Sequence, residues 1–103
     1  MEVIHTIRLT RAFEKWLEKM KDFRAVSRIT ARIESARRGN FGDCKPVGSG
    51  VSEMRVFVGK GYRLYFIQNG DTVYILLNGG DKSTQQQDIK KAKKIAKELG
   101  ILS

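Results

Sequence analysis

The chain has 103 residues, 41% of them hydrophobic, and we expect residues 1–103 to form one domain with a single modest core. Its 20 Lys and Arg outnumber 11 Asp and Glu, and the net charge of +9 favours a polyanion or an acidic protein surface as partner. The single cysteine, Cys44, excludes an internal disulfide framework, and with His5 as the one histidine a zinc site is not expected.

The sequence contains no recognisable targeting segment. No apolar run approaches the roughly 18 residues that a membrane-spanning helix needs. The first residues, Met-Glu-Val-Ile-His-Thr, lack the charged and apolar regions of a signal peptide. We therefore expect a cytoplasmic protein that makes no contact with a membrane.

The first part of the chain predicts one strand and two helices. The strand covers Val3–Arg8, and Thr10 and Asp22 are suitable N-caps for the helices that follow. Both helices carry apolar residues at helical spacing: Phe13, Trp16, Leu17 and Met20 in the first, and Val26, Ile29, Ile33 and Ala36 in the second. The second helix should end at Gly39-Asn40.

The second part predicts a loop, three strands and a helix. Residues 39–50 hold four of the ten glycines and the one proline, so we predict a loop there. Alternating strands follow over 52–58, 62–68 and 72–78, with a two-residue hairpin turn at Asn69-Gly70. Gly79-Gly80 should end the last strand, and Thr84 with Gln87 predicts a capping box for the final helix.

This order of elements predicts an α+β fold with a mainly antiparallel sheet, two N-terminal helices and one C-terminal helix. We expect the helices on one face of the sheet and the other face open to solvent or a ligand. The register that pairs residue 55 with 65 and residue 65 with 74 places four side chains on the open face: Arg55, Arg63, Tyr65 and Tyr74. The helix-side face then collects the apolar residues Met54, Val56, Leu64, Phe66, Val73, Ile75 and Leu77.

The open face has the chemistry of an RNA site. Arginine donates in a fixed fork to phosphate oxygens, and tyrosine stacks on unpaired bases. Four further residues could reach the same surface from neighbouring loops: Lys45, Lys60, Asp81 and Lys82. The simpler alternative is that the arginines are only solvated on an open sheet.

Such a site could cleave RNA without a metal or another cofactor, because the 2′-hydroxyl of RNA is itself a nucleophile. Cations would stabilise the negative charge of the transition state. A lysine of lowered pKa, a tyrosine or Asp81 would have to move the protons.

The chain resembles the RelE/ParE superfamily of toxins from type II toxin–antitoxin systems, and within it the HigB-like group of addiction module killer proteins. The likeness lies in four stretches: Gly39-Asn40-Phe41-Gly42-Asp43, Val47–Arg55, Gly61-Tyr62-Arg63-Leu64-Tyr65-Phe66 and Gly79-Gly80-Asp81-Lys82-Ser83-Thr84-Gln85. The last stretch is specific to the HigB-like group, and the Gly-Tyr-Arg stretch is shared across the superfamily.

The resemblance implies a RelE-like fold and an endoribonuclease, an mRNA interferase that cuts mRNA in the ribosomal A site. It also implies neutralisation by a cognate antitoxin with a helix-turn-helix domain. Arg63 matches the arginine that contacts the scissile phosphate, and Lys82 matches a basic residue that assists. A lysine pair on the preceding strand is replaced by Met54 and Val56, which leaves Arg55. The arginines of the second helix, Arg24, Arg28 and Arg32, either are solvated or touch ribosomal RNA.

Two other functions are compatible with the same fold. The first is a DNA gyrase poison of the ParE kind, which the retention of Arg55 and Arg63 beside Lys82 disfavours. The second is an inactive relative that only binds RNA or the antitoxin.

Overall fold

The computed structural model describes residues 4–71 and 73–101. Five strands and three helices follow one another in this part of the chain: β1 (Thr6–Leu9), α1 (Arg11–Glu18), α2 (Phe23–Arg37), β2 (Cys44–Gly48), β3 (Val51–Val56), β4 (Tyr62–Asn69), β5 (Val73–Asp81) and α3 (Gln85–Glu98). The predicted α+β fold is confirmed. Two residues of predicted strands, Val3 and Thr72, lie outside the described residues.

The helices begin largely where the sequence predicts. The Thr10 side chain accepts a hydrogen bond from the backbone N–H of Phe13, and Asp22 accepts one from Ala25, each at 3.1 Å. The capping box of α3 is wrong, because the Thr84 hydroxyl donates to the Asp88 carboxylate and makes no cap hydrogen bond. None of the helices in the described ranges is long and apolar enough to cross a membrane.

The strands form one sheet in the order β1-β5-β4-β3-β2. Strands β2 to β5 pair antiparallel, and β1 pairs parallel with β5. The loop predicted over 39–50 is wrong for Cys44–Gly48, which forms edge strand β2. An edge strand tolerates Pro46, since one side of it needs no backbone donor, and its glycine accompanies a shift in register between Pro46 and Gly48.

Helices cover both faces of the sheet, so the prediction that they cover only one is wrong. Helices α1 and α2 pack Phe13, Ile29 and Ile33 against one face, which we call the α1/α2 face. Helix α3 packs Ala92 and Ala96 against the opposite face, which we call the α3 face. The apolar stripe of α3 indicates that one side of the helix is buried, but not which face of the sheet buries it.

The side chains of strand β5 lie on the opposite faces of the sheet from those predicted. Asn69 pairs with Val73 and Gln68 with Tyr74, so the hairpin loop is one residue longer than predicted and the register beside it is shifted by three residues. A shift by an odd number of residues turns every side chain to the other face. Ile75 and Leu77 therefore pack on the α3 face, whereas Tyr74 packs on the α1/α2 face.

Strand β5 also continues through Gly79-Gly80, which the sequence predicts as its end. A side chain at Gly79 would collide with the Trp16 ring, and one at Gly80 would collide with the Asp88 carboxylate. The two glycines thus allow α1 and α3 to approach the strand from opposite faces. Lys82 follows directly, in a single turn of 3₁₀ helix before α3.

Candidate functional site

A groove of about 370 Å³ opens on the α3 face, beyond the area that α3 covers. It lies between the end of β3, the turn at 57–61, the start of β4 and the residue that follows β5. Four cations line it, and we call it the cationic groove: Arg55, Lys60, Arg63 and Lys82. Arg55 and Arg63 are direct partners across β3 and β4, which brings both side chains to the same face.

Three of these cations are held by carboxylates. Arg55 donates to Asp43 Oδ1 from Nη2 at 2.8 Å and from Nε at 3.3 Å. Lys60 Nζ lies 3.1 Å from Asp81 Oδ2, and Arg63 Nε lies 3.6 Å from Glu53 Oε1. Within residues 4–71 and 73–101, Lys82 is the groove cation without a carboxylate at ion-pair distance. The acids offset repulsion between the cations and limit the positions that their side chains can adopt.

Glu53 is the buried centre of this arrangement. Its side chain is 0% exposed, and its Oε2 accepts hydrogen bonds from the Tyr65 hydroxyl at 3.1 Å and from Gln85 Nε2 at 3.0 Å. Its Oε1 faces Arg63, whose own side chain is only 15% exposed. A buried carboxylate is costly unless it is paired and hydrogen-bonded. The network therefore joins β3, β4 and the first residue of α3 behind the groove, and it places a counter-charge beside the Arg63 guanidinium.

Neighbouring carboxylates favour the charged forms of two groove cations, Arg55 and Lys60. The hydrogen bond to Asp43 raises the pKa of Arg55, and the hydrogen bond to Asp81 raises the pKa of Lys60. Hydrogen bonds from the hydroxyl and the backbone N–H of Ser83 lower the pKa of Asp81, and Lys60 lowers it further. The predicted lowering of a lysine pKa is therefore wrong for Lys60, because its nearest charge is an acid rather than another cation.

The structure brings together four of the eight predicted site residues, and four lie elsewhere. Asp81 pairs in the backbone with Tyr62, and it lines a second groove on the α1/α2 side with Trp16. It does not line the cationic groove, although its carboxylate accepts hydrogen bonds from Ser83 and pairs with the groove cation Lys60. Lys45 is exposed on edge strand β2, opposite Glu53, and is not among the residues that line the groove.

The predicted stacking roles of the two tyrosines are contradicted by where they lie. Tyr65 shares a face with Arg63 as predicted, but it is fully buried under α3 and donates its hydroxyl to Glu53. Burial, followed by the Glu53 charge, raises the pKa of Tyr65. Tyr74 lies on the α1/α2 face in an aromatic cluster with His5 and Phe41. Neither ring is available to a base in the groove.

Sequence reasoning missed three residues around the groove: Asp43, Glu53 and Phe57. Glu53 stands two residues before Arg55, and strand alternation places it on the same face as both arginines. An acid among those cations was a usable indication of an ion pair. Phe57 follows β3 and is 71% exposed at the groove.

Of the α2 arginines, Arg32 donates to the backbone oxygens of Arg55 at 2.6 Å and Phe41 at 3.0 Å, and so anchors the segment beside the groove.

Metal-ligand geometry is not found in the described ranges. In residues 4–71 and 73–101, no three His, Cys, Asp or Glu side chains come together in a group that could hold a metal ion. Cys44 is exposed on β2.

Comparison with known proteins gives one family, one close relative and one shared fold. The family model described as phage derived protein Gp49-like (DUF891) matches residues 15–99. An uncharacterized protein of Haemophilus influenzae is 50% identical over 95 residues, covering 92% of this chain and 96% of that protein. A chain in the crystal structure of the toxin–antitoxin complex RelBE2 from Mycobacterium tuberculosis has a TM-score of 0.61 and 20% identity, over 78% of this chain and 100% of that one. This structural likeness confirms the predicted RelE-like fold.

Proposed function

Because the chain belongs to the phage-derived Gp49-like protein family, and its fold is that of a chain in a toxin–antitoxin complex, we propose that it is the toxin of a type II toxin–antitoxin system. Its activity is endonucleolytic cleavage of mRNA on the ribosome, which stops translation. The observation that carries the proposal is the convergence of Arg55, Lys60, Arg63 and Lys82 on one open groove. Among the superfamily groups we place it with the HigB-like toxins, on the stretch from Gly79 to Gln85.

The groove suits the charge changes of RNA cleavage. The 2′-oxygen attacks the adjacent phosphorus, the bond from phosphorus to the 5′-oxygen breaks, and the products are a 2′,3′-cyclic phosphate and a 5′-hydroxyl. Arg63 contacts the non-bridging phosphate oxygens and stabilises the additional charge of the transition state. Its Nε lies 3.6 Å from Glu53 Oε1, so the buried acid supplies a counter-charge that keeps this end of the side chain at the base of the groove.

Lys82 and Lys60 supply the remaining positive charge. Lys82 is exposed and has no carboxylate partner among the described residues, so its ammonium group is available to the leaving 5′-oxygen as a proton donor. Lys60 stays protonated beside Asp81 and contributes charge rather than base catalysis. The proton of the 2′-hydroxyl passes to solvent water, because the charged side chains that line the groove are cations rather than carboxylates.

Two macromolecular partners follow from the proposal. The ribosome presents the mRNA, and the exposed lysines of α3 add to the basic surface that ribosomal RNA would meet: Lys90, Lys91, Lys94 and Lys97. The cognate antitoxin, with a helix-turn-helix domain, silences the toxin. An acidic segment in that antitoxin would complement the net charge of +9.

The test is an in vitro translation extract with mapping of mRNA 5′ ends. We expect the wild-type protein to cut ribosome-bound mRNA, and a 2′-deoxy substitution at the cut position to block the reaction. Lys82→Gln should slow cutting about 100-fold or more, as loss of a transition-state donor does. Lys15→Gln, the same change at an exposed α1 position, is the matched control and should cut at the wild-type rate.

Other results would redirect the proposal. Gyrase-dependent DNA breaks in place of mRNA cleavage would assign the ParE-like activity. If neither reaction is found and bacteria that express the protein grow normally, the protein is an inactive relative that binds RNA or the antitoxin.

A further inference from the structure

Phe57 is an exposed aromatic residue beside the cationic groove. It directly follows β3, its side chain is 71% exposed, and it lines the groove with Arg55 and Arg63. The exposed large hydrophobic residues of the described chain are Ile4, Leu9, Phe23, Phe57 and Leu99. Of these described side chains, Phe57 is the one that borders the four cations, so its exposure coincides with the charge.

The backbone that carries the ring is fixed by a turn, and one cation contacts the ring itself. The turn after it is closed by hydrogen bonds from Val58 N to Val56 O at 3.2 Å and from Gly61 N to Val58 O at 2.9 Å. The Arg55 guanidinium lies over the ring, 5.8 Å from its centroid, and Asp43 holds that guanidinium. A guanidinium within about 6 Å of an aromatic centroid is attracted to the ring face. The phenyl ring and the guanidinium are therefore arranged before a ligand arrives.

We propose that Phe57 is a stacking platform for an unpaired base of the RNA whose phosphate lies in the cationic groove. This rests on the proposed function, since it needs single-stranded RNA in the groove, and it adds a base contact to the phosphate contacts. Aromatic side chains next to a cationic track bind single strands of any sequence, because every base has a stacking face. Phe57 thereby takes the role that sequence reasoning gave to Tyr65 and Tyr74.

The test is equilibrium binding of the full-length protein to two probes at low ionic strength. One probe is a short oligoadenylate, and the other is a ribose-phosphate oligomer of equal length without bases. Phe57→Ala should weaken oligoadenylate binding about 5- to 150-fold, the range for loss of one stacked base. It should leave binding of the baseless oligomer unchanged, and it should leave the salt dependence of binding unchanged because no phosphate contact is lost.

Two further variants make the result specific. Phe57→Trp keeps a stacking face and should bind oligoadenylate at least as tightly as the wild type. Phe23→Ala removes another exposed phenyl ring, 81% exposed at the start of α2, and should bind both probes like the wild type. Urea unfolding of each variant checks that the fold is kept.

Three outcomes would overturn the proposal that Phe57 stacks on an RNA base. These are equal oligoadenylate affinity in Phe57→Ala, an equal loss on the baseless oligomer, and no binding by the wild type at low salt. A loss confined to binding of the cognate antitoxin would assign the ring to a protein interface instead. If Phe57-dependent binding is found but mRNA is not cut in the translation extract, only the nuclease proposal fails.

Discussion

The α1/α2 face of the sheet is closed by apolar side chains, whereas the α3 face is closed only in part. On the first, Phe13 and Leu64 lie in one continuous cluster. On the second, Ala92 and Ala96 cover one end of the sheet, and the other end carries the cationic groove. The two faces meet within β4, where Leu64 is fully buried and its neighbour Arg63 is partly exposed.

One strand thus contributes a buried apolar residue to one face and a groove-lining cation to the other. Strand alternation makes this possible, because successive side chains point to opposite faces. On the α3 face, the boundary between the part covered by α3 and the groove is Gln85. This residue begins α3, and its side chain donates a hydrogen bond to Glu53. Removing a side chain from either face should therefore have different consequences for stability.

The largest effect is expected on the α1/α2 face. Leu64→Ala should lower the free energy of unfolding by about 2–5 kcal/mol, because it leaves a cavity at a position that has no exposure. Urea unfolding measures the change. Leu99→Ala, at an exposed leucine, is the control and should stay within about 0.5 kcal/mol of the wild type. Equal losses in both variants would contradict the packing described for this face.

The next effect concerns the buried acid behind the groove. Glu53→Ala should cost about 1–3 kcal/mol, since Tyr65 and Gln85 lose their common acceptor and Arg63 loses its counter-charge. It should also slow mRNA cleavage, because Arg63 is no longer held. Glu34→Ala removes an acid from a surface pair with Arg37 and should change little. Wild-type stability and cleavage in Glu53→Ala would argue against the network.

Tyr65 tests the same network through pH. Tyr65→Phe should cost about 0.5–1.5 kcal/mol at neutral pH, from one lost hydrogen bond. Burial raises the pKa of Tyr65 above its ordinary value of 10.0. This contribution to stability is complete below pH 10.0 and is lost as the pH rises towards the folded-state pKa. Urea midpoints above pH 10.0 should therefore fall more steeply in the wild type than in Tyr65→Phe. Parallel curves would place Tyr65 in solvent.

The smallest effect is expected at the Lys60–Asp81 pair, in which Lys60 is exposed and Asp81 is partly buried. The lowered pKa of Asp81 gives stability that is present above its ordinary 3.8 and is lost as the pH falls through the folded-state value. The raised pKa of Lys60 gives stability that is present below its ordinary 10.5 and is lost as the pH rises. The difference in stability between wild type and Asp81→Asn should therefore be small and constant between these two values. A difference that changes near neutral pH would contradict the assignment.

Short-range chemistry made much of the fold predictable. The caps Thr10 and Asp22 and the alternation of β3 and β4 depend on neighbours close in sequence. Alternation places Arg55 and Arg63 on one face and Leu64 on the other. This holds although the sequence predicts that residue 55 pairs with residue 65, whereas the structure pairs it with residue 63. A shift of two residues keeps each side chain on its own face.

The remainder depends on contacts between distant elements. The face that α3 covers decides that Tyr65 is buried, and α3 follows Tyr65 by twenty residues of chain. The length of the hairpin loop decides the side on which Tyr74 lies. Pro46 marks a loop by composition but lies in an edge strand. Alternation predicts that Glu53 faces solvent, but in the folded chain Tyr65, Gln85 and Arg63 surround it.

The most direct test of the cationic groove is the single-turnover cleavage rate of mRNA on programmed ribosomes by Arg63→Lys. Lysine keeps the charge next to buried Glu53, so the fold is kept, but it lacks the fork that grips two phosphate oxygens. We predict a rate about 100-fold or more below the wild type. Arg24→Lys, at an exposed α2 arginine, should cut at the wild-type rate. Wild-type cleavage by Arg63→Lys would contradict the assignment of the groove as the nuclease site.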